Sequence, residues 1–219
     1  MEIVFVTDFV CPYCIVAEEA LKQALAETGM QAVIKIHPYE LTEEPKERVD
    51  TYHDEKRKAG YQVLVEPAKE LGLDMKLPPA VVPRPYTRLA FEGWHYAEEK
   101  GVGDAYADSV YRAYFIDEKD IGQVDVLAEL AASVGLDTEE FRRVLAEGTY
   151  TQVQKAAVAH AKKDLDIHHV PTVYINGKEA DFAMYQKENW VQFLTNQKVE
   201  AEEAEEPTEF FGCGPNGCM

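Results

Sequence analysis

The chain has 219 residues, of which 46% are hydrophobic and 28% are charged, and its formal net charge is −18 at pH 7. This composition is typical of a globular protein with one core, or with one domain that carries a large insertion. The acidity argues against nucleic acid as a partner, because phosphate binding requires clustered Lys and Arg. The sequence contains no apolar run of the roughly 18 residues that span a bilayer, so we expect no membrane contact.

The first forty residues predict a strand, a helix and a second strand. Residues 2–7 form a short apolar run that is typical of a buried strand. From Pro12 to Thr28 apolar residues recur at helical spacing, and Gly29 follows at a position where helices commonly end. Residues 31–37 alternate apolar and polar side chains. A βαβ unit of this length makes its two strands parallel.

The middle of the chain shows helical patterns and no strand pattern. The predicted helices begin at Pro85, include Tyr106 to Phe115, include Val124 to Val134, follow Leu136, and extend from Thr149 to Lys163. Strand patterns return in residues 170–184, where Asn176-Gly177 predicts a tight hairpin turn. A last amphipathic helix is predicted to end near Gln197.

These patterns divide the chain into four parts. Residues 1–42 form a βαβ half, residues 43–165 a helical insertion, and residues 166–198 a ββα half. Residues 199–219 are rich in glutamate, so we expect them to form a flexible acidic tail. The chain is therefore predicted to have an α/β fold.

Four cysteines lie in two close pairs, Cys11 with Cys14 and Cys213 with Cys218. Cys11 stands at the predicted start of a helix, with Pro12 at the first helical position. Free backbone N–H groups and the helix dipole stabilise a thiolate there. We therefore expect Cys11 to attack a disulfide and the more buried Cys14 to resolve the mixed disulfide. A zinc half-site is the alternative, but zinc normally takes four ligands, and the predicted folded part offers no second pair.

A proline near the hairpin supplies a second part of such a site. Disulfide-exchange sites need exposed backbone against which a substrate peptide can lie, and a cis proline beside the cysteines provides it. Val170-Pro171 begins the hairpin strand. Although only about one X–Pro bond in twenty is cis in folded proteins, we predict a cis bond here.

The sequence resembles a known family in these motifs. "CPYC" after an amino-terminal strand and "VPTVYING" after a helical insertion are similar to the DsbA-like branch of the thioredoxin superfamily. The segment "GLDTEEFRRVL" and the length resemble the FrnE-like dithiol-disulfide oxidoreductases. Over residues 1–197 the resemblance implies a thioredoxin-like fold with a large helical insertion. It also implies thiol–disulfide exchange on protein disulfides or low-molecular-weight thiols, without a cofactor.

Three further residues are candidates for tuning this chemistry. Tyr13 completes a Pro-Tyr dipeptide like that of glutaredoxins, whose potentials lie near −200 to −230 mV, which favours a reductase or isomerase over a strong oxidase. Asp8 is either a proton acceptor for Cys14 or a helix cap or surface acid. His169, like its neighbour His168, either tunes the thiolate or binds a peptide backbone, or else has only a structural role.

The second cysteine pair has three interpretations. Gly-Pro-Asn-Gly between Cys213 and Cys218 favours a β-turn that brings the two cysteines together. The pair either exchanges electrons with Cys11 and Cys14, or binds a soft metal ion, or is incidental.

The leading prediction is thus a dithiol–disulfide oxidoreductase. The alternatives are a glutathione-dependent transferase or isomerase, of the kappa-class or hydroxychromene-carboxylate isomerase type, and a thiol-based metal-binding or redox-sensing protein. Glu2 stands where a signal peptide would have basic residues, so we expect a cytoplasmic protein, in which thiols stay reduced. The sequence leaves the oligomeric state open.

Overall fold

A computed structural model describes the backbone of residues 1–205 and the side chains of residues 1–198. Its centre is a four-stranded sheet in the order β2-β1-β3-β4, formed by β1 (Glu2–Thr7), β2 (Val33–Pro38), β3 (Thr172–Ile175) and β4 (Lys178–Glu179). Strand β2 is parallel to β1, whereas β3 is antiparallel to β1 and β4 is antiparallel to β3. This is the predicted α/β thioredoxin-like arrangement, with a βαβ half and a ββα half.

Helices surround the sheet and fill the segment between its two halves. They are α1 (Pro12–Thr28), α2 (Glu55–Tyr61), α3 (Val65–Glu70), α4 (Arg88–Glu99), α5 (Gly103–Phe115), α6 (Val124–Ser133), α7 (Thr138–Glu147), α8 (Thr151–Ala159) and α9 (Lys187–Glu205). A 3₁₀ turn, Gln62–Leu64, joins α2 to α3, and a π-helical turn, His160–Asp164, follows α8. No described helix is long and apolar enough to cross a membrane.

Local sequence signals explain the elements that hold the cysteine pair and the hairpin. Helix α1 begins with Pro12 and ends before Gly29, which has a φ of 67°. Asn176 (φ 49°) and Gly177 (φ 80°) form the turn between β3 and β4. Positive φ at both central residues is the geometry of the tight hairpin turn that Asn-Gly favours, so this prediction is confirmed.

The structure differs from the predicted elements in two places. Helices α2 and α3 were not predicted. None of the described side chains of α2 is buried, so this helix carries no apolar stripe. Helix α9 continues past Gln197 to Glu205, so the predicted end is wrong. The residues beyond Gln197 are mostly Lys, Glu and Ala, which favour helix. The helix thus includes the first part of the predicted tail.

One hydrophobic core joins the sheet to the inserted helices. The Phe9 ring, just after β1, stacks on Phe91 of α4 with centroids 4.3 Å apart and meets Tyr111 of α5 edge-on at 5.1 Å. All three rings are fully buried. The inserted helices therefore form part of the same packed unit as the strand that leads to the cysteines.

Candidate active site

The turn between β1 and α1 places Cys11 at the amino end of the helix. The Cys11 amide donates to the Asp8 carbonyl at 2.9 Å, and the Cys14 amide donates to the Cys11 carbonyl at 3.1 Å. The Cys11 thiol points at the Val170 carbonyl, with 3.4 Å between sulfur and oxygen. The Val170-Pro171 bond is cis, as the sequence predicts. The structure therefore brings Cys11, Val170 and Pro171 together, although they are far apart in the chain.

The two thiols have different surroundings. Both are free and buried, but Cys11 lies at the start of α1 with its sulfur against the Val170 carbonyl, whereas Cys14 is completely enclosed. Burial raises the pKa of Cys14 well above its ordinary value, and the neighbouring Cys11 raises it further. The Thr7 side chain and the Asp8 backbone lower the pKa and offset this rise only in part. A thiol in that position stays protonated at neutral pH, so it cannot be the first nucleophile.

A hydrogen bond behind Cys14 was not predicted from the sequence. The hydroxyl groups of Thr7, at the end of β1, and Tyr111, on α5, are hydrogen-bonded to each other. Burial raises the pKa of Tyr111 well above its ordinary value, with the charge of Cys14 acting in the same direction. Tyr111 belongs to the apolar stripe of α5, and its sequence position gave no sign of a polar contact.

Tyr13, between the cysteines, contacts the inserted segment. Its hydroxyl donates to the Gly60 carbonyl at 2.9 Å, and its ring lies edge-on to Tyr61 (6.4 Å between centroids) and to Tyr185 (6.0 Å). Burial raises the pKa of Tyr13, with the charges of Tyr185, Cys11 and Tyr61 adding to the effect. Pro12, its neighbour, is buried in the first turn of α1. Nothing in the sequence marks Gly60 or Tyr61 as a neighbour of the cysteine motif.

Asp8 is buried, which excludes the predicted surface alternative. Its carboxyl accepts hydrogen bonds from the amides of Leu41 (2.7 Å) and Val10 (3.5 Å). Burial raises the pKa of Asp8, and the Leu41 amide, the Arg84 charge and other contacts oppose that rise. The carboxyl thus joins the segment after β2 to the turn before α1 through hydrogen bonds. Its role as a proton acceptor for Cys14 stays a prediction.

An open groove of about 610 Å³ lies beside the cysteine pair. Its lining comprises Tyr13, His169, Val170, Pro171, Glu179, Ala180, Asp181, Phe182, Ala183, Met184 and Tyr185. His169 is exposed, and its carbonyl accepts a hydrogen bond from the Thr172 hydroxyl at 2.8 Å. His168 is also exposed and lies 3.1 Å from a carboxyl oxygen of Asp166. Only His169 of this pair therefore faces the groove.

Within the described part of the chain, no group of three or more His, Cys, Asp and Glu side chains is arranged to hold a metal ion. Cys213 and Cys218 lie outside the described residues.

Comparison with known proteins identifies the family. Residues 2–196 match the family described as the DSBA-like thioredoxin domain. The chain belongs to this family of thiol–disulfide oxidoreductases, as its motifs suggested. The FrnE-like assignment within the family stays a prediction.

Individual relatives agree with this placement. The uncharacterized protein YwbO of Bacillus subtilis is 38% identical over 170 residues, which cover 77% of this chain and 84% of that protein. The probable DsbA oxidoreductase SCO1869 of Streptomyces coelicolor has a TM-score of 0.75 at 26% identity, covering 100% of this chain and 98% of that one.

Two more distant structures share the fold. The cytosolic disulfide reductase DsbM of Pseudomonas aeruginosa, also solved with GSH, has a TM-score of 0.67 at 18% identity, covering 91% of this chain and 100% of that one. A 2-hydroxychromene-2-carboxylate isomerase has a TM-score of 0.70 at 17% identity, covering 93% and 98%.

Proposed function

We propose that the protein catalyses thiol–disulfide exchange, as a disulfide reductase or isomerase, with Cys11 as nucleophile and Cys14 as resolving thiol. One observation carries the proposal: the two sulfurs differ in their surroundings. Cys11 lies at a helix start beside the Val170 carbonyl, whereas Cys14 is fully buried with a raised pKa. That difference supports a fixed order of attack, because the thiolate is the reactive form.

The exchange then follows in two steps. The Cys11 thiolate attacks one sulfur of the substrate disulfide, forming a mixed disulfide and releasing the other sulfur as a thiolate that takes up a proton. Cys14 attacks the Cys11 sulfur and its proton passes to the departing second substrate sulfur, which leaves as a thiol; a Cys11–Cys14 disulfide remains. Two electrons pass from the protein to the substrate. A thiol reductant must return them before the next cycle.

The groove beside the cysteines supports substrates that are protein disulfides or low-molecular-weight thiols. Pro171 and Val170 line it, and we assign them the role of backbone platform for the substrate. The fold is shared with a reductase that its name describes as cytosolic and that has been solved with GSH, which supports a cytoplasmic location and small-thiol partners. Tyr13 supports the reductase or isomerase direction, because it lacks the positive charge that histidine can supply between the cysteines.

The test is trapping of the mixed disulfide. The reduced Cys14→Ser variant is mixed with glutathione disulfide or with insulin whose disulfides are intact, and the products are examined by mass spectrometry without reductant. We expect adducts at Cys11, and we expect Cys11→Ser to form none there and to lose turnover. Absence of any Cys11 adduct in Cys14→Ser would overturn the exchange mechanism.

The isomerase alternative differs in its need for Cys14. A glutathione-dependent isomerase or transferase needs one thiol or hydroxyl at the helix start and no resolving thiol. If Cys14→Ala keeps full activity on an organic substrate with glutathione while wild-type protein reduces no disulfide, the isomerase is the correct assignment.

We extend the proposal to the pair Cys213 and Cys218, which we expect to exchange electrons with Cys11 and Cys14. The double variant Cys213→Ser/Cys218→Ser tests this. Slower turnover than wild type is expected, together with a tail cross-link in Cys14→Ser that the double variant removes. Zinc or cadmium that copurifies with wild-type protein but not with the double variant would instead support the soft-metal alternative.

A further inference from the structure

The nucleophile of the proposed reaction is poorly accessible. Cys11 is only 4% exposed, yet its sulfur must reach the sulfur of an incoming disulfide. One neighbour of the cysteine motif in the inserted segment is Tyr61, at the end of α2. Its ring lies edge-on to that of Tyr13, two residues after Cys11, with 6.4 Å between the ring centroids.

Helix α2, which carries Tyr61, is loosely held. It has seven residues, and none of these described side chains is buried. Its start is capped by its own neighbour, since the Asp54 carboxyl accepts from the Arg57 amide at 3.0 Å. The first fully buried side chain after it is Leu64, in the following 3₁₀ turn. Few buried apolar contacts are typical of segments that open at low free-energy cost.

The described contacts of α2 with the active-site motif come from Tyr13. Its hydroxyl donates to the Gly60 carbonyl at 2.9 Å, and its ring meets Tyr61 edge-on. This hydrogen bond is exposed, and the loss of a single bond of that kind changes an equilibrium constant about three- to tenfold. Its loss would therefore change how often α2 is open without unfolding the protein.

We propose that Tyr13 is a positioning residue that sets the size of the disulfides that reach Cys11. Its bond to Gly60 holds α2 and Tyr61 against the cysteine motif. We call this contact the Tyr13 latch. With the latch closed, a small disulfide reaches Cys11 through the groove along Pro171, whereas a protein disulfide requires α2 to move away. This assignment rests on the proposed function, because it concerns the substrates of that same exchange reaction.

The test compares two substrates in Tyr13→Phe, which keeps the ring and removes the hydroxyl. We expect kcat/KM for insulin to rise about three- to tenfold, the fold-change that one such hydrogen bond corresponds to. The value for glutathione disulfide should change less than twofold. Tyr86→Phe is the matched control, because the Tyr86 hydroxyl likewise donates to a backbone carbonyl, that of Lys46, at 2.5 Å. It should leave both values unchanged. An unchanged insulin-to-glutathione ratio in Tyr13→Phe would overturn the latch.

A second variant separates access from tuning of the thiol, since Tyr13 lies between the cysteines. Tyr61→Leu removes the ring that meets Tyr13 without changing the motif, and it should raise the same ratio. If only Tyr13→Phe raises it, and the reduction potential shifts as well, the effect is tuning and the latch is wrong.

Alkylation of Cys11 needs no catalytic turnover, so it tests the Tyr13 latch separately from the proposed exchange reaction. Reduced protein is alkylated with iodoacetamide or with a maleimide on polyethylene glycol, and modification of Cys11 is followed by peptide mass spectrometry. Tyr13→Phe should accelerate the bulky reagent more than the small one. If wild-type protein reduces neither disulfide but this size dependence is present, the proposed function fails and the latch stands. Equal acceleration of both reagents would count against the latch.

Discussion

Helices α5 and α2 belong to the same inserted segment, and each contacts the active-site region through a tyrosine, but they are packed very differently. Helix α5 buries eight of its residues, including Tyr111, whose hydroxyl is bonded to Thr7. Of the described side chains of α2 none is buried, and it is held through the Tyr13 hydroxyl and the Tyr61 ring. The well-packed helix holds Tyr111 against Thr7, whereas the loosely packed one contacts the cysteine motif through Tyr13. Chemistry and access are thus controlled by separate parts of one insertion.

The largest difference between the two helices is expected when Tyr111 and Tyr61 are each truncated to alanine. Tyr111→Ala should lower the free energy of unfolding by about 3–5 kcal/mol, because it leaves a large cavity beside Phe9. Tyr61→Ala should lower it by about 1 kcal/mol, as is usual for partly exposed positions. Urea denaturation followed by circular dichroism measures both. Equal losses would show that α2 is as firmly packed as α5.

A buried acid and an exposed acid should likewise differ in how they make the free energy of unfolding depend on pH. Glu40 is buried and accepts a hydrogen bond from the Gln154 side chain at 2.8 Å. Burial raises the pKa of Glu40 from 4.5 to about 7, with the charges of Asp8 and Glu43 adding to the rise and Gln154 and Lys162 opposing it. The folded protein therefore holds this proton more tightly than the unfolded chain does. Its contribution to stability is complete below pH 4.5 and is lost as the pH rises through about 7.

The corresponding test is Glu40→Gln, which cannot ionise. Between pH 4.5 and pH 8 the wild-type protein should lose about 3 kcal/mol of unfolding free energy relative to this variant. Chemical denaturation at several pH values measures the difference. Glu55→Gln is the control, since Glu55 lies on α2 with its side chain 83% exposed, and its pH profile should match that of wild type. Parallel profiles for wild type and Glu40→Gln would contradict the assignment.

The smallest effect is expected from the cap of α2. Asp54→Ala removes the carboxyl that accepts from the Arg57 amide, which destabilises the helix by about 1 kcal/mol. Because α2 is loosely packed, the loss should appear as roughly fivefold faster hydrogen exchange in residues 55–61, with little change in global unfolding. Exchange mass spectrometry measures it. A matching fall in global stability would mean that α2 unfolds only with the whole domain.

The parts of the site that follow from local chemistry could be predicted from the sequence. Cys11, Pro12 and Gly29 determine where α1 begins and ends, and Asn176-Gly177 determines the hairpin. The contacts that join distant segments could not be predicted. Neither the Tyr13–Gly60 bond nor the Tyr111–Thr7 bond leaves a periodic signal, because each depends on how an inserted helix packs.

Helix α2 is a second feature that the sequence patterns could not predict. Its residues Glu55–Tyr61 are largely charged, and the pattern rules used for the other helices detect apolar stripes. Likewise, the continuation of α9 to Glu205 depends on helix propensity, since Lys, Glu and Ala favour helix without any apolar face. In both cases the sequence lacks the apolar pattern that would have revealed the helix.

The Thr7 side chain, which is bonded to Tyr111 and lowers the pKa of the Cys14 thiol, has a thermodynamic consequence. Folding and oxidation form a closed cycle, so a contact that stabilises the reduced protein more than the oxidised one adds the same free energy to its stability and to its reduction potential. A change at Thr7 that weakens this contact destabilises the reduced protein and makes it a stronger reductant. About 1.4 kcal/mol corresponds to 30 mV for a two-electron couple. One hydroxyl at the end of a strand thus couples how firmly the reduced protein is folded to how readily it gives up its electrons.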